Sequence, residues 1–119
     1  MVSSRMNDLP NIDELYEQMM QSSFNVNEYR SDECHDAAFD MVTVETGVAG
    51  IASQLLTGTL SPKKQQRVLG LKLLDGNNWH LLNGTKCDLS SRPELLIHAR
   101  NIVALQCACK ERLQEGKVQ

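Results

Sequence analysis

Residues 91–116 read SRPELLIHARNIVALQCACKERLQEG, and the fold turns on this stretch. Ser91 stands where a helix N-cap belongs, Pro93 falls in the first turn, and Glu94 completes a capping box. The spacing predicts a helix from here to about Glu115, with Gly116 just beyond it. Leu95, Ala99, Ile102, Cys109 and Leu113 line one face, and Leu96, Val103 and Cys107 widen it. A peripheral helix needs a single apolar stripe. From Leu95 to Cys109 this one is apolar round more than half its circumference. The surplus has to be buried on a second side, under other helices or against another chain.

Upstream, residues 31–58 read SDECHDAAFDMVTVETGVAGIASQLLTG. Ser31 is the expected N-cap, and Asp32 and Glu33 fall in a first turn where the helix macrodipole favours negative charge. Ala37, Met41, Val44, Val48, Ile51 and Leu55 follow at alternating spacings of four and three, a heptad-like seam. Gly47 and Gly50 lie beside the seam. A glycine costs up to about 1 kcal/mol in a helix interior, and close approach of another helix backbone is the expected compensation. Thr57-Gly58 ends this helix with a residue that tolerates the left-handed conformation.

A shorter helix comes first. Asn11 caps it with Glu14 three residues on, and Ile12, Leu15, Tyr16 and Met19 form its stripe. Met1–Pro10 reads as a flexible tail. Between the two long helices, Ser61-Pro62 opens a third segment with a polar first turn, Lys63 to Arg67, followed by Val68, Leu69, Leu71, Leu73 and Leu74. The helix-forming residues favour a helix closed by Asp75-Gly76. The alternation Leu69, Leu71, Leu73, then DGNN, then Trp79 and Leu81, also fits a β-hairpin over 68–82. Residues 77–90 otherwise read as loop. The expected architecture is mainly α: a small bundle-like single domain over 11–116 with a long central and a long C-terminal helix, and a short tail at 117–119.

Composition narrows the function. Of 119 residues 41% are apolar but only 4% aromatic, so the core is built from Leu, Val, Ile, Met and Ala. The net charge of −3 argues against a general nucleic-acid binder, although Lys63, Lys64, Arg67 and Lys72 give one locally basic helix. The N-terminus has no apolar signal region, and no apolar run approaches the roughly 20 residues that cross a bilayer. The expectation is a cytoplasmic protein with its four cysteines reduced.

No chemical constellation stands out. Cys107 and Cys109 resemble a chelating pair, yet on a helix residues two apart point about 200° away from each other. Cys34-His35 is no better spaced, and the cysteines read as small buried apolar residues. His35, His80 and His98 stand in no catalytic motif, and His98 on the apolar helix reads as a satisfied core or interface histidine. Neither a GxGxxG nor a P-loop pattern occurs. The sequence therefore predicts no enzyme, no metal and no cofactor, and points to apolar helical surface used for protein–protein contact.

DECHDAAFDMVTVETGVAG (32–50) and RPELLIHARNIVALQCACKERLQ (92–114), with the length and acidic helical character of the chain, resemble the small pseudomonad antiactivators of quorum sensing that target LuxR-type, LasR-like regulators. The resemblance spans nearly the whole chain and rests on no short motif, so it transfers no binding residue. It implies a homodimeric helical protein that binds the regulator's ligand-binding domain, blocks its dimerisation and thereby represses transcription. The physics is coherent, because such a regulator reads a dyad DNA site as a dimer. Patterning places the partner surface at Leu96, Arg100, Ile102, Leu105 and Cys109 and self-association at Met41, Val44, Gly47, Val48 and Ile51. The alternatives are a small DNA-associated regulator using Lys63, Lys64 and Arg67, a helical homodimer with another partner, and a thiol- or metal-dependent protein using Cys34, Cys107 or Cys109.

Overall fold

The last helix, α4 (Pro93–Val118), is the element on which the others assemble. A computed structural model of the chain describes residues 11–60 and 62–118, and the side chains of all of these except 62–64 and 116–118. The expected N-terminal tail and the Ser61 cap lie outside the described residues. In chain order α4 is preceded by α1 (Ile12–Gln21), a 3-10 turn (Val26–Tyr29), α2 (His35–Thr57), α3 (Pro62–Leu69) and strands β1 (Leu74–Asp75), β2 (Asn78–His80) and β3 (Lys86–Asp88). The strands form one antiparallel sheet in the order β1-β2-β3.

α4 packs against α1 and α2, and also meets α3 and β1. Leu95, Ala99, Ile102, Leu105, Ala108 and Cys109 are fully buried among them. Much of the apolar surface of this helix is thus covered by the chain's own helices, while Leu96 and Val103 are half-buried and Ile97 and Cys107 are exposed. The seam of α2 is covered in the same way: Ala37, Met41, Val44, Val48 and Ile51 belong to the same core. α4 also continues through Gly116 to Val118, past the stop expected there.

The caps follow local chemistry in part. Asn11 Oδ1 accepts from the Glu14 N–H at 3.2 Å, as its position predicts, and Gly58 closes α2 with φ 71°. Ser31 and Ser91 are not caps. α2 starts later, at His35, because Asp32 is used elsewhere: it accepts from the Cys34 N–H at 2.8 Å and from Arg92 Nε at 2.9 Å, with Arg92 Nη2 on the same oxygen. Ser91 Oγ turns to Glu33 at 3.3 Å. At the start of α4, Glu94 takes the Tyr29 hydroxyl at 2.5 Å. The beginnings of α2 and α4 are therefore held together by charge-assisted hydrogen bonds.

The segment 62–82 is helix and hairpin in succession. α3 ends at Leu69 rather than at Asp75 because Gln106, buried on α4, donates to the carbonyls of Val68 and Leu71, both at 2.9 Å. Orphan carbonyls at a helix end need such donors. The chain then turns into β1, and Gly76, with φ 62°, makes the tight turn that pairs Asp75 with Asn78. Residues 77–90, expected as loop, supply β2 and β3. Trp79 is fully buried and donates Nε1–H to Asp40 Oδ2 at 2.9 Å, while Asp40 Oδ1 accepts from the Leu82 N–H at 3.2 Å. One carboxylate thus fastens the sheet to α2.

Two outcomes follow. Asp40→Ala leaves a buried indole N–H without its acceptor and should cost about 1–3 kcal/mol, measured by urea unfolding through the fluorescence of the chain's single tryptophan. The Arg92 guanidinium, then the Cys34 amide, hold the Asp32 carboxyl below its ordinary range, and Glu94 and Asp88 are lowered by Tyr29 and Ser90. A group whose folded pKa is depressed stabilises the fold fully above its unfolded value and loses that contribution as pH falls through the folded value. Thermal stability should therefore fall steadily below about pH 4, and Asp32→Asn should flatten that fall.

Candidate interaction surface

The residues singled out by patterning land on the right helices but mostly on the inner faces. Ile102, Leu105 and Cys109 are fully buried in the chain's own core, so they are not available to a partner. Leu96 is half-buried and Arg100 is exposed, with Nη2 3.4 Å from Asn77 Oδ1. On α2, Met41, Val44, Val48 and Ile51 are core residues and not a self-association face. Gly47 does relieve a close approach, but of the same chain: a Cβ there would meet Val68 of α3 at 3.1 Å.

What α2 leaves outside is a different stripe. Phe39, Val42, Thr43, Thr46, Gly50, Ser53, Leu56 and Thr57 recur at helical spacing on the exposed side, with Ala49 half-buried beside them. None of them is ionisable, over about five turns of helix. Solvated helix faces normally carry charge. Phe39 and Leu56, at the two ends, are 40% and 53% exposed. The polarity of the threonines is largely spent inside the helix: Thr43, Thr46 and Thr57 donate to the carbonyls of Phe39, Val42 and Ser53 at 3.4, 2.9 and 3.0 Å. With the hydroxyl bonded to its own backbone, each threonine can offer a methyl group outward.

Gly50 sits in the middle of this stripe, and beyond its own helix backbone no atom of the described residues lies within 4 Å of where its Cβ would be. No intramolecular packing needs a glycine there. Beside it a groove of about 440 Å³ opens between α2 and α3, lined by Thr46, Gly47, Gly50, Ile51 and Val68, with Gln54, Gln65 and Arg67 at its edge. Gln65 Nε2 donates to Gln54 Oε1 at 2.6 Å across it.

One polar array invites a catalytic interpretation. His98 is fully buried, with Nδ1 2.8 Å from Ser22 Oγ and Nε2 2.7 Å from Glu45 Oε2. Ser22 Oγ also accepts from Asn101 Nδ2 at 2.9 Å and donates to the Met19 carbonyl at 3.1 Å. Its hydroxyl is engaged, and it stands at the C-terminal end of α1, where carbonyls converge instead of the amide N–H groups that stabilise an oxyanion. The array ties α1, α2 and α4 together, with the edge of Phe24 against the imidazole at 5.2 Å.

The cysteines divide by position. Cys109 is buried and Cys107, two residues earlier, is exposed, so they face apart. Burial pushes the Cys109 thiol up to about 11. Among the described residues no group of three or more His, Cys, Asp or Glu side chains is placed to hold a metal ion, and no helix is long and apolar enough to cross a membrane. The side chains of Lys63 and Lys64 lie outside the described residues, which leaves Arg67 exposed at the groove edge.

The outward stripe of α2 does not stand out in the sequence because threonine, serine and glycine separate its large apolar members Phe39, Val42 and Leu56, whereas the opposite seam is apolar throughout. The signal that marks it is the lack of any charge at the positions three and four apart from Phe39 to Thr57. No protein-family model, no curated protein and no solved structure matches this chain.

Proposed function

We propose that this protein is an interaction inhibitor whose outward α2 face occupies the dimer surface of a LuxR-type regulator's ligand-binding domain, so that the regulator no longer dimerises or binds its operator. One observation carries the choice of surface: an uncharged helix face centred on Gly50, a glycine that no contact among the described residues requires. A helical glycine destabilises by up to about 1 kcal/mol, and close docking of a partner backbone would offset that. The resemblance of residues 32–50 and 92–114 to the LasR-directed antiactivators supplies the class of partner. Such an inhibitor needs apolar helical surface and acts without contacting DNA.

The test is size-exclusion chromatography with light scattering, on the chain alone and mixed with a LasR-like ligand-binding domain. The expected result is a joint peak in which the regulator is no longer a homodimer. Val42→Glu would bury an unpaired carboxylate in the contact. It should weaken the complex at least about tenfold while the circular dichroism spectrum stays unchanged. Two unaltered peaks with the parent chain would refute the regulator as partner. A dimer of the chain alone that Val42→Glu dissociates, with no joint peak, would reassign the face to self-association.

Gly50→Ala separates packing from propensity. In the isolated chain it should raise stability by up to about 1 kcal/mol, since alanine is the better helix former. In the complex its methyl should intrude and raise the dissociation constant. Unchanged affinity would rule out close docking at Gly50.

A further inference from the structure

Cys34 and Cys87 are far apart in the chain and adjacent in the fold. Cys34 immediately precedes α2 and is fully buried, while Cys87 is the middle residue of β3, paired across the sheet with Trp79. Their sulfurs are 3.7 Å apart, with the Cys87 thiol directed at Cys34 Sγ. Both sulfurs also lie near one carbonyl, that of Asp88, at 3.9 and 3.8 Å. The two differ in access. Cys87 is half-buried and lines a cleft of about 500 Å³ together with Glu33, Asp36, Thr85 and Ser91, whereas Cys34 is sealed behind it.

We propose that Cys34 and Cys87 are a redox-responsive pair, converted by a small peroxide entering this cleft into an intramolecular disulfide that joins the start of α2 to β3. A disulfide bond is about 2.05 Å long, so the sulfurs must close by less than 2 Å. β3 is the side of the pair with less to hold it: it spans only Lys86–Asp88 and is an edge strand, paired along one side with β2 and tied to β1 by the exposed Lys86–Asp75 ion pair at 3.6 Å.

The chemistry balances with hydrogen peroxide as oxidant. Cys87 Sγ attacks one peroxide oxygen, an S–O bond forms, the O–O bond breaks, and the other oxygen leaves with the thiol proton as water. Cys34 Sγ then attacks the Cys87 sulfenic acid. The S–S bond forms, the S–O bond breaks, and hydroxide leaves with the Cys34 proton as a second water. The two sulfurs together lose two electrons, and the peroxide gains them. The order follows from position. Burial pushes the Cys34 thiol up to about 12, and the Cys87 contact and the carboxylates of Asp32 and Glu33 act in the same direction. The sealed sulfur is therefore protected from the oxidant and gives up its proton only as it attacks the Cys87 sulfenic acid 3.7 Å away, and the reachable one meets the oxidant.

The test uses a Cys107→Ser chain, which removes the exposed thiol without touching the core. It is treated with hydrogen peroxide, its remaining thiols are alkylated, and it is mapped by mass spectrometry without reduction. The expected product is a Cys34–Cys87 linked peptide, with an intact mass lower by two hydrogens. A melting temperature raised by several degrees and returned by dithiothreitol should accompany it. Cys87→Ser should abolish the link and leave Cys34 alkylatable once the chain is unfolded. The proposal is overturned if Cys87 advances to sulfinic acid while Cys34 stays free. It is also overturned if both remain thiols at a peroxide dose that fully modifies Cys107 in the parent chain.

Discussion

Covering α4 on two sides forces its polar side chains to find partners inside the core, and much of the architecture follows from that. A buried histidine or amide without hydrogen bonds would cost more than a typical packing contact contributes. His98 finds Glu45 on α2 and Ser22 at the end of α1, which brings the three helices to one point. About two turns further on, Gln106 finds the carbonyls of Val68 and Leu71, and so sets where α3 stops. Apolar contact alone would let these helices slide, because it has no direction. The two polar side chains add direction at two heights along the same helix.

The remaining polar ties act at the periphery in the same manner. Asp40 gathers the Trp79 indole and the Leu82 amide and so seats the small sheet on α2. Asp32 joins Arg92, and Tyr29 joins Glu94, at the shared origin of α2 and α4. A sheet of two- and three-residue strands has little stability of its own. It persists here because its tryptophan is fully buried and its acceptor comes from a helix.

α2 consequently has two unlike faces. The inner one is rich in Met, Val and Ile and is consumed by folding. The outer one is mild, uncharged and left to solvent. Hydrophobic strength identifies the first and overlooks the second, which is why Met41, Val44, Val48 and Ile51 look like an interface in the sequence and prove to be core. The same holds on α4 for Ile102, Leu105 and Cys109. The outer face from Phe39 to Leu56 is instead made largely of Thr, Ala, Gly and Ser, with larger apolar side chains at its two ends.

What the sequence determined by itself is local: the mainly α class, the Asn11 cap, the glycine stop at Gly58, the two long helices and their apolar seams, and the opposed positions of Cys107 and Cys109. These depend on helical periodicity and on the chemistry of neighbouring residues, which a linear text contains. Tertiary structure decided which chain covers those seams, where α2 and α3 begin and end, and that residues 74–88 form a sheet. Each of those outcomes is set by a partner distant in sequence, Arg92 for Asp32, Gln106 for Val68 and Leu71, Asp40 for Trp79. The proximity of Cys34 and Cys87 belongs to the same category, since only the docking of β3 beside the start of α2 brings the two sulfurs within contact.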